Sequence, residues 1–424
     1  MKKIDIAIAA SILLFSLSAC DKEKEVEPWN AGPIEQYVVT PIHGGATIAY
    51  TIPDDPDILY IMAEYERNGK TFTDKSSVHK NTLTIEGFNS TKPVKATLYK
   101  VNKHEQRSAP LQIEFTPLES LVSIACRSLK LEPTFGGVYA TWDNPVATEL
   151  GIRLMANNKD KNNALETQTV YFTSEVAGKY AFRGFESEER HFAFTIEDKW
   201  GNSSDTVHLT TTPLFEKMIE KPYADVRSKI PYDNTTDLSG NYVFSKLWDN
   251  QGNVSRNGWL TKQGSSGRSF SIDLQKAAKL SRIVTHAYHD DEPYWQANIT
   301  GYELWGTDKL DMELLADKPY WLDEESVRAG AIKDVDPTTV LPPRTFKDDW
   351  QFLGLFFWPD YRAVKADVLA FAARGAEFPM PVKARPVRYL RFIVRQVTML
   401  DVPASNYFSM GEITLYGDDN VPQD

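Results

Sequence analysis

Short runs in which apolar and polar residues alternate fill most of this chain, and a period of two marks strands buried on one face. Thr97-Leu98-Tyr99-Lys100-Val101 and His191-Phe192-Ala193-Phe194-Thr195-Ile196 carry the pattern in the first half. In the second half it recurs over 269–274, 280–284, 299–306, 389–394 and 412–417. Leu121-Val122-Ser123-Ile124-Ala125-Cys126 also reads as an apolar strand, with Cys126 as a small buried hydrophobe. Turn residues bound these runs, so the expected fold class is all-β. After the N-terminus no apolar run approaches the roughly 18 residues of a membrane-spanning helix.

One pattern occurs twice. Gly44-Gly45, Gly87-Phe88 and Thr116-Pro117-Leu118 are matched by Gly136-Gly137, Gly184-Phe185 and Thr212-Pro213-Leu214. The spacing defines two consecutive units of just under a hundred residues, 32–118 and 119–214. Many short strands in a unit of that size predict a two-sheet antiparallel sandwich. The stretches 103–108 and 198–204 resemble the turn before the last strand of a fibronectin type III domain, and Trp142 is expected to be its buried tryptophan. Trp200, beside a Gly-Asn turn, reads as a packed corner residue or as a sugar platform. Neither copy gathers residues that suggest chemistry, so both read as spacers.

From 215 to 235 the sequence reads as a connector, and 236–419 as one larger β domain with aromatic-rich loops at 286–298 and 343–362. Loops on a β scaffold are where binding concentrates. In order, Lys246-Leu247-Trp248-Asp249-Asn250 with Trp259, Ile272-Asp273-Leu274, Tyr302-Glu303-Leu304-Trp305-Gly306-Thr307-Asp308, Pro386-Val387-Arg388-Tyr389-Leu390-Arg391-Phe392 and Gly411-Glu412-Ile413-Thr414-Leu415-Tyr416-Gly417 resemble the coagulation factor 5/8 type C, or discoidin, domain, a galactose-binding-like jelly roll. The resemblance implies carbohydrate binding. It also implies a structural calcium, with Asp249 and Glu412 at the matching positions and Gln251, Asn253 and Ser255 as oxygen donors between them. The loop reads Asn250-Gln251-Gly252 where that family usually has Asp-Gly-Asn, and a plain polar hairpin accounts for it equally.

Sugars are recognised by flat aromatic faces flanked by polar groups that read hydroxyls. Candidates in the first loop are His286, Tyr288, His289, Tyr294 and Trp295. The second supplies Arg344, Trp350, Trp358 and Tyr361, and Tyr407 precedes the last strand. Each aromatic has core packing as its alternative. His286 and His289 lack a third metal ligand in the sequence, and no nucleophile elbow or phosphate loop is present, so a non-catalytic binder is expected before a glycoside hydrolase. A scaffold or adhesin gripping a protein partner through the same domain is the other reading.

The N-terminus sets the address. Lys2 and Lys3, an apolar core through Leu17 and then Leu17-Ser18-Ala19-Cys20 resemble a lipoprotein signal over 1–19, with Cys20 acylated. A charged tether follows over 20–31. Together with the repeats and the last domain, this resembles surface lipoproteins of Bacteroides-type polysaccharide-utilisation systems. Expected partners are therefore carbohydrate, the membrane through the lipid, and outer-membrane transport or glycan-degrading proteins, on the outer face of the outer membrane. A net charge of −11 and the lack of a basic cluster exclude nucleic acid. With only two cysteines, one of them Cys20, no disulfide framework is expected.

Overall fold

Period-two alternation is realised in seven strands per repeat. The first comprises β1 (Tyr37–Ile42), β2 (Gly45–Tyr50), β3 (Ile58–Arg67), β4 (Lys70–Ser77), β5 (Thr82–Glu86), β6 (Val94–Asn102) and β7 (Leu111–Phe115). The second comprises β8 (Lys130–Thr134), β9 (Gly137–Asp143), β10 (Leu150–Asn158), β11 (Ala164–Thr173), β12 (Ala177–Phe182), β13 (Arg190–Asp198) and β14 (Val207–Thr211). The sheets run β1-β2-β5 and β4-β3-β6-β7, then β8-β9-β12 and β11-β10-β13-β14, the same order twice. In the first repeat Ile48, Leu83 and Ile85 of one sheet share a core with Ile61, Ala63, Leu98 and Ile113 of the other, which makes a sandwich. These strands belong to a computed structural model that describes residues 28–52, 55–233, 235–262, 268–289, 293–294, 297–398 and 407–422.

The three landmarks of the repeat meet in space, which gives the repetition a mechanical cause. Gly44 N donates to Leu118 O and Phe88 N to Gly44 O, while Gly136 N donates to Leu214 O and Phe185 N to Gly136 O. Gly44 and Gly136 have φ of +66° and +64°, a region that L side chains avoid. The second glycine of each pair is needed for closeness. A Cβ on Gly45 would lie 1.9 Å from Ile85 O, and one on Gly137 would lie 1.7 Å from Phe182 O. The turns before the last strands match too: Asn102 Oδ1 accepts from the backbone of His104 and Gln106, and Asp198 Oδ1 from that of Trp200 and Asn202. Trp142 is buried, its indole against Gly178. Trp200 is a half-buried corner residue lying over Gly87.

The run expected as a strand at 121–126 is instead a helix, Leu121–Ser128. Ser120 caps it by accepting from Ser123 N at 3.1 Å, and burial falls on Val122 and Ala125, three apart. Cys126 is half-buried rather than enclosed, its thiol donating to Asp205 O.

Two units emerge from the contacts. The first holds the described residues up to Lys130 with Thr141–Lys179 and Phe192–His208; the second holds Leu131–Ala140, Tyr180–His191 and everything from Leu209 onward. Most of the second unit is the C-terminal domain. Its strands are β15 (Lys217–Met218), β16 (Ala224–Asp225), β17 (Trp259–Leu260), β18 (Ser269–His286), β19 (Ile299–Thr307), β20 (Gln351–Phe357), β21 (Ala376–Pro379), β22 (Val387–Val397), β23 (Ser409–Met410) and β24 (Glu412–Asp418).

β18 organises this domain, joining into one bent strand the two runs 269–274 and 280–284. Its first half pairs with β22 and β16, and its second half with β24 and β21. The corner lies at Gln275, whose φ is +66° and whose backbone N donates to Asp273 Oδ1 at 2.7 Å. Phe270 and Phe392 stack at 4.6 Å in a core that also takes Trp259, Tyr302, Leu304 and Leu415. The supposed connector is part of the domain. β15 pairs with β24, and Ile219, Tyr223, Val226 and Ile230 are buried. Among the described residues no helix is long and apolar enough to cross a membrane.

Candidate functional site

Most of the aromatic side chains expected to meet a ligand are instead packed. Trp358 is 8% exposed, donates from Nε1 to Thr285 Oγ1 at 3.1 Å, and sets its edge on Phe371. Tyr294 stacks on the same ring, donates through its hydroxyl to Pro359 O and accepts from Tyr361 N. Tyr361 is half-buried beside it. Phe371 belongs to a helix, Lys365–Arg374, that covers these aromatic residues and that no strand pattern announced. Trp350, 6% exposed, joins Trp321 and Phe346 in another core, and Tyr288 and His289 are buried. The expectation that Tyr288, His289, Trp350 and Trp358 offer open faces is thus corrected, because all four are buried, Trp358 against Phe371, Trp350 against Trp321 and Phe346, and Tyr288 against Tyr242.

His286 is half-buried at the end of β18. Burial pushes its imidazole below the ordinary value, more than the neighbouring Glu412 pulls it up. Arg344 is exposed and held by Asp349 at 2.6 Å, and Tyr407 is half-buried before β23. Trp295 and Cys20 lie outside the described residues.

Most of the oxygens assigned to calcium already have other partners. Asp249 receives Asn257 Nδ2 on both oxygens at 3.1 Å, Lys246 Nζ at 3.0 Å and the backbone N of Gln251. Asn253 and Ser255 are exposed, and Ser255 donates to His289 O. Glu412 is taken by the Lys221 ammonium and by Asn250 N. A hard divalent cation needs six to eight oxygens pointing inward. Here both Asp249 oxygens and Glu412 Oε1 meet N–H donors, Ser255 is turned to a carbonyl, and only Glu412 Oε2 is without a partner among the described residues, so the residues as placed do not fit the ion expected at Asp249, Asn253, Ser255 and Glu412. Among the described residues no group of three or more His, Cys, Asp or Glu is gathered for a metal.

The structure brings together a different set of residues. At the corner of β18, an open groove of about 1040 Å³ is lined by Gln275 and Lys276, by Thr307, Asp308 and Lys309 after β19, by Asp349 and Gln351 at the start of β20, and by Arg385, Arg388 and Tyr389 at the start of β22. Its walls are braced from behind. Arg388 makes a paired contact with Asp273 at 2.8 and 2.9 Å, and Asp349 accepts from Tyr320 and Arg344. Gln351 and the Arg385 backbone exchange hydrogen bonds. Lys276, Lys309 and Arg385 are exposed, and the half-buried Tyr389 ring lies 5.0 Å from the Arg388 guanidinium. Such a groove offers many fixed donors and acceptors and one aromatic edge, a composition suited to a polar, hydroxyl-rich ligand. Sequence reasoning missed it because its residues come from the corner of β18 and from the ends of β19, β20 and β22, far apart in the sequence. Gly306-Thr307-Asp308 and 386–389 carried a signal, and that was a resemblance to a fold.

Three consecutive segments match family models: 31–117 the DUF4959 domain of unknown function, 118–222 the DUF5126 domain of unknown function, and 248–417 a further domain of unknown function, DUF5000. The comparison with curated proteins finds no match. Among solved structures the chain is similar to a SusE-like protein (19% identity, 70% of this chain and 98% of that one, TM-score 0.36). It is also similar to CBM32-3 from a family 31 glycoside hydrolase of Clostridium perfringens (15%, 46% and 95%, TM-score 0.27). A third is a segment of two fibronectin type III domains from chicken tenascin (10%, 42% and 98%, TM-score 0.20). At such identities and TM-scores these likenesses carry neither ligand nor activity to this chain.

Proposed function

We propose that this protein is a non-catalytic, lipid-anchored glycan-binding protein of the cell surface, and that the groove at the corner of β18 is its binding face. The observation that carries this reading is the groove itself: open, polar and braced, in a domain whose sequence resembles a carbohydrate-binding fold. Exposed Arg385, Lys309 and Lys276 would reach hydroxyl or carboxylate oxygens, and Tyr389 would bear on a pyranose face. Acylation at Cys20 would keep many copies on one surface, where modest single-site affinity suffices for a polymer.

Retardation of the purified protein in native gels cast with a panel of neutral and uronic polysaccharides tests this. The expected result is retardation by at least one glycan that is lost in Arg385→Ala and Tyr389→Ala. No retardation by any glycan, or retardation unchanged in both variants, overturns it. Release of oligosaccharides by the protein alone overturns the non-catalytic part.

A second reading, docking of a protein partner, is favoured by β20. This edge strand exposes Phe352, Leu355 and Phe357, each nearly half, and an apolar edge invites pairing with another chain. A membrane protein that co-purifies with the wild type and not with Leu355→Lys would support it.

A further inference from the structure

The register of β15 on β24 delivers a lysine to the carboxylate that the discoidin resemblance assigns to calcium. Lys217 lies opposite Gly417, Met218 opposite Tyr416, and Ile219 N donates to Leu415 O. Continuing the antiparallel run brings Lys221 beside Glu412 and Thr414. Its ammonium bonds Glu412 Oε1 and reaches Thr414 Oγ1 at 3.0 Å. Both charged side chains are only 4% exposed. Glu412 Oε2 is buried with no hydrogen-bond partner among the described residues, and Oε1 takes one backbone amide, from Asn250 at 3.2 Å. Among the described residues Lys221 is thus the only cation salt-bridged to this carboxylate, and it comes from a stretch that sequence alone reads as a linker.

We infer that Lys221 is the resident cation of the C-terminal domain, replacing a divalent ion with an ammonium carried by the chain. An ammonium needs only three acceptors around one nitrogen, whereas a hard divalent ion needs six to eight oxygens. Asp249 is then free to organise its loop through Asn257 and Lys246, as observed. The consequence is a domain that keeps its shape without calcium and whose segment just after β15 is pinned to its last strand by charge. A buried carboxylate deprived of its counter-charge is strongly destabilised.

Thermal unfolding of the full chain with excess EDTA, with calcium and with magnesium is the first test, and the three curves should coincide. Lys221→Met should lower Tm by several degrees, and adding Glu412→Gln to it should recover a substantial part of the loss by removing the unpaired charge. A wild-type Tm lowered by EDTA, or stoichiometric calcium in the metal-analysed protein, overturns the inference. So does a Lys221→Met variant as stable as the wild type, or a double variant that recovers nothing.

Discussion

The Asp233 carboxylate and the Arg391 guanidinium form an ion pair at 3.1 Å with side chains 0% and 1% exposed. Ser269 and Ser271 donate to the same carboxylate, each at 2.5 Å, and the guanidinium lies 4.4 Å from the Phe346 ring centroid and 5.2 Å from that of Trp321. The pair ties the segment after β16 to the middle of β22. Breaking one side of a buried pair leaves an uncompensated charge, so Arg391→Met should cost about 3–5 kcal/mol in urea unfolding. The double variant with Asp233→Asn should lose less than Arg391→Met alone. If it loses more, the charge balance is not what holds the segment.

Packing and binding separate between Trp358 and Arg385. Trp358→Ala removes a buried ring and should destabilise by about 3–5 kcal/mol. Arg385→Ala, at an exposed position, should stay within about 0.5 kcal/mol of the wild type while glycan retardation disappears. Denaturation and native gels on the same two proteins read both effects. A stable Trp358→Ala that loses only binding would move the site to the aromatic loops.

Gly178 is constrained by Trp142. A Cβ there would sit 2.1 Å from the indole, so Gly178→Ala should cost about 1–3 kcal/mol by overpacking. Gly240→Ala, with no atom within 4 Å, is the matched control and should be neutral. Equal midpoints for the two variants would contradict this packing.

Acid should weaken the C-terminal domain through Asp323 and Glu303. Burial alone would raise both carboxyls, but Arg395 and Lys347, joined at Glu303 by the Trp305 indole N–H, outweigh it and hold them below their ordinary range. The contacts are 2.7 Å from Arg395 to Asp323, 2.8 Å from Arg395 to Glu303, and 2.6 Å from Lys347 to Asp323. A depressed folded-state value means the unfolded chain binds protons first. This contribution is therefore complete above the unfolded values near about pH 4 and is lost as pH falls below them. Urea midpoints taken from neutral pH downward should fall in that window, and less steeply in Asp323→Asn. Parallel curves for the two proteins would rule the network out as the cause.

Alternation of side chains is a local property, so the strands, the all-β class and the doubled sandwich pattern were legible from residue order alone. The repeated Gly-Gly, Gly-Phe and Thr-Pro-Leu landmarks announced two copies before their hydrogen bonds were seen. Helix Leu121–Ser128 was misread because an apolar run of that length suits either state, and the cap at Ser120 decides it. Tertiary structure alone decided which rings are open. Trp358 and Tyr294 look like loop aromatics until Phe371, from the helix Lys365–Arg374, covers them. The same holds for charge, since Lys221 meets Glu412 across 191 residues and the groove draws on four separate strands. Burial and ion pairing are set by what folds over a residue, and the sequence around that residue does not carry this information.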